Sequence, residues 1–418
     1  MIDSLDGSEL LTGPAAGDLL RSAVVAAGGT LHRWDLDHVD HRPGRSTTAL
    51  YRATVSWPRI DGAGSDPRQE LFGASAHLGE PETPPHAEDR SLVMTNGDMD
   101  VRVWRYPHDP WLPYLSHVCF PDAATATLQG VLGSVVGPVA SVEVIAYRPG
   151  RRAVLRADLA GRRVYLKVLP PGVSADMVHR HATLHATGVP APTVLGHRDG
   201  LVVSAELPGI SLSEAVQHLG PAACRPEDLV AVLDRLPAVL VTAPARPPWS
   251  ASADFYAGIV ARSVPALAPR ALTIAERVRA GLDEAASRVG SAALEVVHGD
   301  FYEAQVMVAD GRVTGLLDVD TVGPGRRADD LACLLAHLSV LGLAAPGARE
   351  ALRAWWPVLA ARVDRRELQV RTAGVALSLA TGPHRLQEPA WEGATERILT
   401  VAEQWLDAAQ GGPLASAP

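Results

Sequence analysis

One stretch of this chain gathers side chains whose types and spacing could do chemistry: His298-Gly299-Asp300, Gln305 five positions on, and Asp318 beyond an Asp310-Gly311 pair. Asp-Gly as the two loop residues is a strong hairpin signal. With that loop, Gln305 faces Leu316 and Glu303 faces Asp318. Diagonal cross-strand neighbours lie roughly 7–8 Å apart, so Gln305 and Asp318 meet at one end of the hairpin, and Asp300 enters the same end. Two carboxylates and a carboxamide are oxygen ligands for a hard cation such as Mg2+, with one carboxylate left to act on a substrate hydroxyl. Taken singly, each Asp beside a Gly reads as a turn cap. Their convergence is what points to a site.

A second signal is compositional. The 38 basic residues are 37 arginines and a single lysine, Lys167, inside the strand-like run Val164–Leu169. A position that keeps lysine in so arginine-rich a chain reads as needing a compact ammonium rather than a planar fork. If Ala160-Gly161 closes the hairpin before it, Lys167 lies opposite Val154, just after the turn Arg148 to Arg152. Backbone N–H groups of such a turn beside an ammonium make a phosphate cradle, with Arg148, Gly150 and Arg151 as its members.

The elements that must position these groups follow from turn residues and periodicity. Val142–Tyr147, Ala153–Ala157 and Val164–Leu169, punctuated by Gly150 and Gly161, predict an antiparallel sheet. Asp176–Thr187 predicts a helix closed by Gly188 and Pro190, followed by strands near Pro192–Leu195 and Leu201–Ala205. After Pro208-Gly209 the pattern is helical: Leu212–His218, Asp228–Leu240, Ala251–Val260, Leu272–Val289, Ala348–Val363, Glu367–Ala380 and Trp391–Ala408. In the first 140 residues, a Pro/Glu/His-rich loop at Gly79–Arg90 and the Pro-punctuated Tyr106–Tyr114 favour extended connections over long helices. His41-Arg42-Pro43-Gly44-Arg45 echoes Tyr147-Arg148-Pro149-Gly150-Arg151; Arg-Pro-Gly-Arg being an ordinary turn, the echo reads as coincidence before repeat. The expected organisation is an N-terminal domain (1–140), a sheet region (141–209), a helical region with the hairpin (210–410) and a frayed tail (411–418).

With 418 residues, 47% of them apolar, the chain is long enough for two or three cores. A net charge of −9 argues against nucleic acid as a partner. The absence of a long apolar run argues against a membrane span, and acidic residues near Met1 argue against a secretory signal, so a cytoplasmic location is expected. Cys119, Cys224 and Cys333 lack metal or disulfide spacing and read as buried thiols.

His298-Gly299-Asp300-x4-Gln305, Leu317-Asp318-x-Asp320 and Gly325-x3-Asp329-Asp330-Leu331-Ala332 together resemble the catalytic core of the aminoglycoside phosphotransferase family, relatives of protein kinases. The resemblance spans about 141–410. It implies an α+β, bilobal protein-kinase-like fold, a small antiparallel-sheet lobe plus a helical lobe, here with an additional N-terminal domain. It implies that Asp300 is the catalytic base, that Gln305 and Asp318 bind Mg2+, and that Lys167 holds the phosphates of ATP. Leu201–Gly209 resembles the hinge between lobes, where the backbone at Glu206 and Leu207 would bind adenine. Asp330 resembles a structural Asp at a helix start, and Asp329 is read the same way.

Two departures stand out. The family usually has Asn where this chain has Gln305, although maltokinase-like and glucosamine kinase-like members also carry Gln. The helix that usually offers the lysine a glutamate offers only Asp176 among histidines and Arg180. His181 and His185 read as helix-surface residues. The expected activity is transfer of the γ-phosphoryl group of ATP to a hydroxyl of a small molecule, with Glu303 and Asp320 as acidic neighbours of a polyhydroxylated or amine-bearing acceptor. An N-terminal domain is similar to the cap of the maltokinase-like branch. The competing expectations are a kinase of peptide or protein hydroxyls and a catalytically silent nucleotide-binding protein.

Overall fold

A computed structural model describes residues 6–58, 66–78, 90–96, 99–134, 136–159, 161–244, 246–289 and 294–412. Nearly all of the Gly79–Arg90 loop, Ala160 and most of the expected frayed tail lie outside them. The chain divides into two compact units, Met1–Val178 with Val194–Glu206 and Arg385–Glu388, and His179–Thr193 with Leu207–His384 and Pro389–Pro418. The main chain crosses from one to the other after Val178, Thr193, Glu206, His384 and Glu388.

The first unit holds two five-stranded antiparallel sheets. Strands β1 (Thr30–Arg42), β2 (Ser46–Ser56), β3 (Arg68–Leu78), β4 (Leu92–Asn96) and β5 (Met99–Arg105) form one, in the order β1-β2-β3-β5-β4. Strands β6 (Val139–Arg148), β7 (Arg152–Leu159), β8 (Arg162–Val168), β9 (Val194–Arg198) and β10 (Leu201–Ala205) form the other, in the order β6-β7-β8-β10-β9. Each sheet is preceded by a short helix and a longer one: α1 (Ser8–Thr12) and α2 (Ala15–Ala26), then α3 (Leu115–Val118) and α4 (Pro121–Leu132). Each helix pair covers one sheet face. Leu11, Leu20 and Val24 pack on Ala49, Tyr51 and Ala53, while Leu115, Ala124 and Leu128 pack on Ala153, Leu155 and Ala157. Strand residues of period two therefore bury one face and leave the other polar or half-buried.

The two Arg-Pro-Gly-Arg segments are the first hairpin turn of each sheet. Arg45 N–H bonds Arg42 C=O at 3.0 Å and Arg151 N–H bonds Arg148 C=O at 3.0 Å, with Gly44 and Gly150 both at φ 68, a conformation that suits glycine. The same turn at the same place in two sheets of the same order corrects the coincidence reading. The second sheet alone adds a helix, α5 (Ser174–Ala186), after its third strand. Helices α2 and α4 were not anticipated from the Pro-rich context.

The second unit is mostly helical around one large core that includes Leu334, Trp355, Leu368, Ala373, Leu377, Leu399 and Trp405. Each fully buried Leu there contributes roughly 1.5–3 kcal/mol relative to an exposed one. The helix expected over Asp228–Leu240 ends at Asp234, because Pro237 cannot continue it, and resumes as a 3-10 turn, Ala238–Thr242. Within this unit lie the short strands Glu295–Val297 and Gly323–Gly325, which pair, and the hairpin Val306–Ala309 with Arg312–Leu316.

Candidate active site

The hairpin turn is the expected one, with Asp310 at φ 51 and Gly311 at φ 71. Its register is not. Ala309 faces Arg312 and Val308 faces Val313, but Met307 faces Gly315 and Val306 faces Leu316. Thr314 is an extra residue, a bulge, and its Oγ1–H donates to Pro208 C=O at 2.7 Å. Val306 thus takes the place opposite Leu316 expected for Gln305, which ends a 3-10 turn, Glu303–Gln305. Gln305 C=O still accepts from Leu317 N–H at 2.8 Å, tying that turn to the strand end before Asp318.

The His298–Asp300 loop is held from within. Asp330, 1% exposed, accepts His298 N–H at 2.7 Å and Gly299 N–H at 2.8 Å. Burial pushes its carboxyl up to about 6. His298 is fully buried; Nε2 bonds Leu317 C=O at 2.9 Å and Nδ1 accepts Asp300 N–H at 3.3 Å, partners that assign the proton to Nε2. Gly299 has φ 83, and a Cβ there would stand 2.9 Å from Thr321 O. The loop is therefore fixed by main-chain bonds, leaving Asp300's side chain for other work.

Asp300 Oδ1 accepts from Trp249 Nε1–H at 3.1 Å, and Arg246 stacks over that indole at 4.1 Å. Burial raises the Asp300 carboxyl above its ordinary value; Arg246 and His298 oppose this, and the negative charge of Asp318 adds to it. Asp318 itself sits in the left-handed region, φ 51 and ψ 43, which is strained for a residue with a side chain. Gln305 Nε2–H donates to Tyr302 Oη at 3.1 Å, which leaves Oε1 as the amide end suited to a cation. Among the described residues no group of three or more His, Cys, Asp and Glu side chains is arranged for a metal. A carboxylate pair whose charges repel, beside a carboxamide, nevertheless fits Mg2+, which takes few protein ligands and keeps water or substrate oxygens.

Glu303, expected as an acidic neighbour of an acceptor, is instead buried at 6% exposure beneath the helix Arg327–Leu341. Burial pushes its carboxyl up to about 7 and pushes His337, 4.0 Å away, down to about 3. Both are near neutral, so this is a contact of uncharged groups rather than an ion pair. The folded carboxyl keeps its proton between pH 4.5 and about 7, where the unfolded chain gives it up. Its contribution to stability is full below 4.5 and is lost as pH rises through about 7. Glu303→Gln should therefore match the wild type near pH 4 and exceed it by up to about 3 kcal/mol near pH 8. Urea unfolding at the two pH values tests this, and a difference independent of pH would refute it. Asp320 lies in the 3-10 turn Val319–Thr321 that follows Asp318. Asp329 accepts from Arg371 at 2.6 Å and caps the helix it opens, as expected of a structural Asp.

In the other unit, Lys167 pairs with Val154 as the turn arithmetic requires, and with Val202 on its other side. Gly150 N–H, expected to cradle a phosphate, donates to the buried Asp109 carboxylate at 2.7 Å. Arg148 bonds Asp40 at 2.7 Å, with Arg151 at 4.0 Å from the same carboxylate. Asp176 is exposed in the first turn of α5. His181 is buried, with Nδ1 bonded to Pro192 C=O at 2.9 Å, so it is not the surface residue expected. Glu206 is 3.4 Å from Arg163, and Leu207 packs against Gly315, where a Cβ would stand 2.4 Å from Leu207 Cδ1. Cys224 and Cys333 are buried and Cys119 partly so.

Within the second unit, a loop anchored by the buried Asp330 presents the Asp300 carboxylate next to Trp249. Residues 148–368, just over half of the chain, match the phosphotransferase enzyme family (APH), and the chain belongs to that family. The match takes in Lys167, Asp300, Gln305 and Asp318 and leaves the first sheet outside it. Among solved structures, the chain is similar to a choline/ethanolamine kinase family protein from Mesorhizobium loti (17% identity, 71% of this chain and 98% of that one, TM-score 0.47). It is also similar to the choline kinase LicA from Streptococcus pneumoniae (11%, 69% and 98%, 0.45). A third is a thermostable mutant of an aminoglycoside phosphotransferase solved with AMP-PNP and hygromycin B (18%, 70% and 98%, 0.43). At these identities and scores nothing about ligands follows for the present chain. No curated protein matches it. Among the described residues no helix is long and apolar enough to cross a membrane.

Proposed function

We propose that this phosphotransferase moves the γ-phosphoryl group of ATP to a hydroxyl of a small molecule, of the sugar, aminoglycoside or amino-sugar class. The observation that carries the reading is Asp300, a half-buried carboxylate raised in part by the charge of Asp318 and oriented by Trp249 Nε1–H on a loop that Asp330 fixes. Asp300 accepts the acceptor's proton as the new O–P bond forms and the bond to the ADP oxygen breaks. Trp249 leaves one carboxylate oxygen for that proton. Gln305 and Asp318 would hold Mg2+, which when bound supplies positive charge to the phosphates. Lys167 adds a compact cation for the same purpose. Gly150 N–H is bonded to Asp109 and Arg148 to Asp40, with Arg151 beside that carboxylate, so the turn keeps these groups for internal contacts and Lys167 is left to the phosphates, while the backbone at Glu206 and Leu207 serves adenine. On this reading residues 1–140 are a cap-like domain ahead of a nucleotide-binding region, 141–209, and a helical region, 210–410. Gln305 and such a cap favour a sugar acceptor of the maltokinase-like kind.

Calorimetric titration with ATP, with and without Mg2+, is the test. Binding that strengthens at least tenfold with Mg2+ supports the site. Equal binding with and without the cation would remove Gln305 and Asp318 from the mechanism, and no binding of ATP or GTP would overturn the reading.

A further inference from the structure

A cavity of about 170 Å³ lies between the face of the first sheet that α1 and α2 do not cover and the segment Trp111 with the turn Pro149–Arg151. Arg42, Arg45, Thr48, Ser75, Trp111 and Arg151 are among the residues lining it. We propose that it is a second binding site, for a phosphate monoester of a small ring-bearing molecule such as a sugar phosphate.

Register singles out the position. In the second sheet, Val154 of β7 pairs with Lys167 of β8, which pairs with Val202 of β10. Counting from Gly44 as from Gly150, the same row of the first sheet is Thr48 of β2, Ser75 of β3 and Arg102 of β5. Ser75 thus stands where Lys167 stands, and the cavity lies over it. The parallel with a phosphate-binding lysine rests on the function proposed above; the remaining observations do not.

Ser75 is 1% exposed, and its hydroxyl has no hydrogen-bond partner among the described residues. A buried hydroxyl without a partner costs free energy, so one at a cavity wall points to an occupant that supplies the bond. Three guanidinium groups, of Arg42, Arg45 and Arg151, line the same space. Its one carboxylate, Asp40, is already bonded by Arg148 at 2.7 Å. Burial would raise that carboxyl, yet Arg148 and Arg151 hold it below its ordinary value, so it stays an anion matched by cations of its own. The remaining positive charge and hydroxyl donors suit a dianionic phosphate better than a monoanion. The indoles of Trp104 and Trp111, 5.5 Å apart and edge to face, add an apolar wall. The space admits a phosphate with a small ring.

An occupant would also touch the Gly150 turn. Trp104 Nε1–H donates to Tyr147 Oη at 3.0 Å, Tyr147 O–H donates to Asp109 at 2.8 Å, and Asp109 accepts Gly150 N–H. The wall of the cavity and the turn are thus bonded to one buried carboxylate.

Titration of the full chain with glucose 6-phosphate, inorganic phosphate, glucose and ATP tests the proposal. Glucose 6-phosphate should bind more tightly than phosphate, and glucose should not bind. The Arg42→Gln/Arg45→Gln double variant, in a turn where both side chains are at least partly exposed, should weaken glucose 6-phosphate at least tenfold and leave Mg2+-dependent ATP binding unchanged. Ser75→Ala, which removes no internal hydrogen bond seen among the described residues, should weaken it severalfold. Glucose 6-phosphate binding no better than glucose, or equally well in the double variant, would overturn the site. Inorganic phosphate binding as well as glucose 6-phosphate would overturn the ring-bearing ligand, and ATP binding lost in the double variant would assign the cavity to nucleotide instead. Should ATP fail to bind the wild type at all, the kinase reading falls while the sugar-phosphate titration still decides this one.

Discussion

Asp300→Asn is expected to lower turnover by roughly two to four powers of ten, with Mg2+-dependent ATP binding and folding stability close to wild type. The amide keeps the size of the carboxylate and an oxygen for Trp249 Nε1–H, so the loop has no reason to move. What it loses is the ability to accept a proton. Removing a charge that repels Asp318 also relieves a cost of the folded state, so any loss of rate cannot be blamed on unfolding. Steady-state turnover with the best acceptor, beside a denaturation curve, decides the matter. A variant that keeps more than about a tenth of wild-type turnover would show that Asp300 is not the base.

Asp330→Ala should have the opposite profile, a loss of stability of about 3–5 kcal/mol. It strands two buried backbone donors, His298 N–H and Gly299 N–H, and leaves Arg327, 3.9 Å from the carboxylate, without that partner. Burial pushes the carboxyl up to about 6 against the pull of these bonds, so the cost of the substitution lies in the two donors it strands rather than in a strong ion pair. Urea unfolding followed by circular dichroism reads the effect directly. A shift under about 1 kcal/mol would mean that water replaces the carboxylate without penalty and that the loop is held elsewhere.

How far these features could be seen in the sequence depended on whether the determining contacts were local. The hairpin through Gly161 placed Lys167 opposite Val154 correctly, because a tight turn transmits register along both strands. The same arithmetic failed by one residue beyond Asp310-Gly311, because the bulge at Thr314 is set by Pro208, more than a hundred positions away. His298-Gly299-Asp300 was conspicuous, and the family resemblance implied a structural role for Asp330. Trp249 and Arg246 were not found, since neither stands near the motif in the chain and only tertiary folding brings them to Asp300. Glu303 was misjudged for a related reason: burial under a distant helix, not composition, decides whether a carboxyl is acidic. The duplicated turn was visible as an echo, but only the identical strand order made it a repeat.

Lys167 lies mid-strand with hydrogen-bonded neighbours on both sides, and it is the single lysine of the chain. A protease that cuts after lysine therefore has one peptide bond to attack, and it needs that segment extended and free, which a central strand does not allow while the sheet is intact. One cleavage yielding two fragments would report the opening of that sheet alone. The arginine-for-lysine bias elsewhere in the chain has left the second sheet with a built-in clock for its own unfolding.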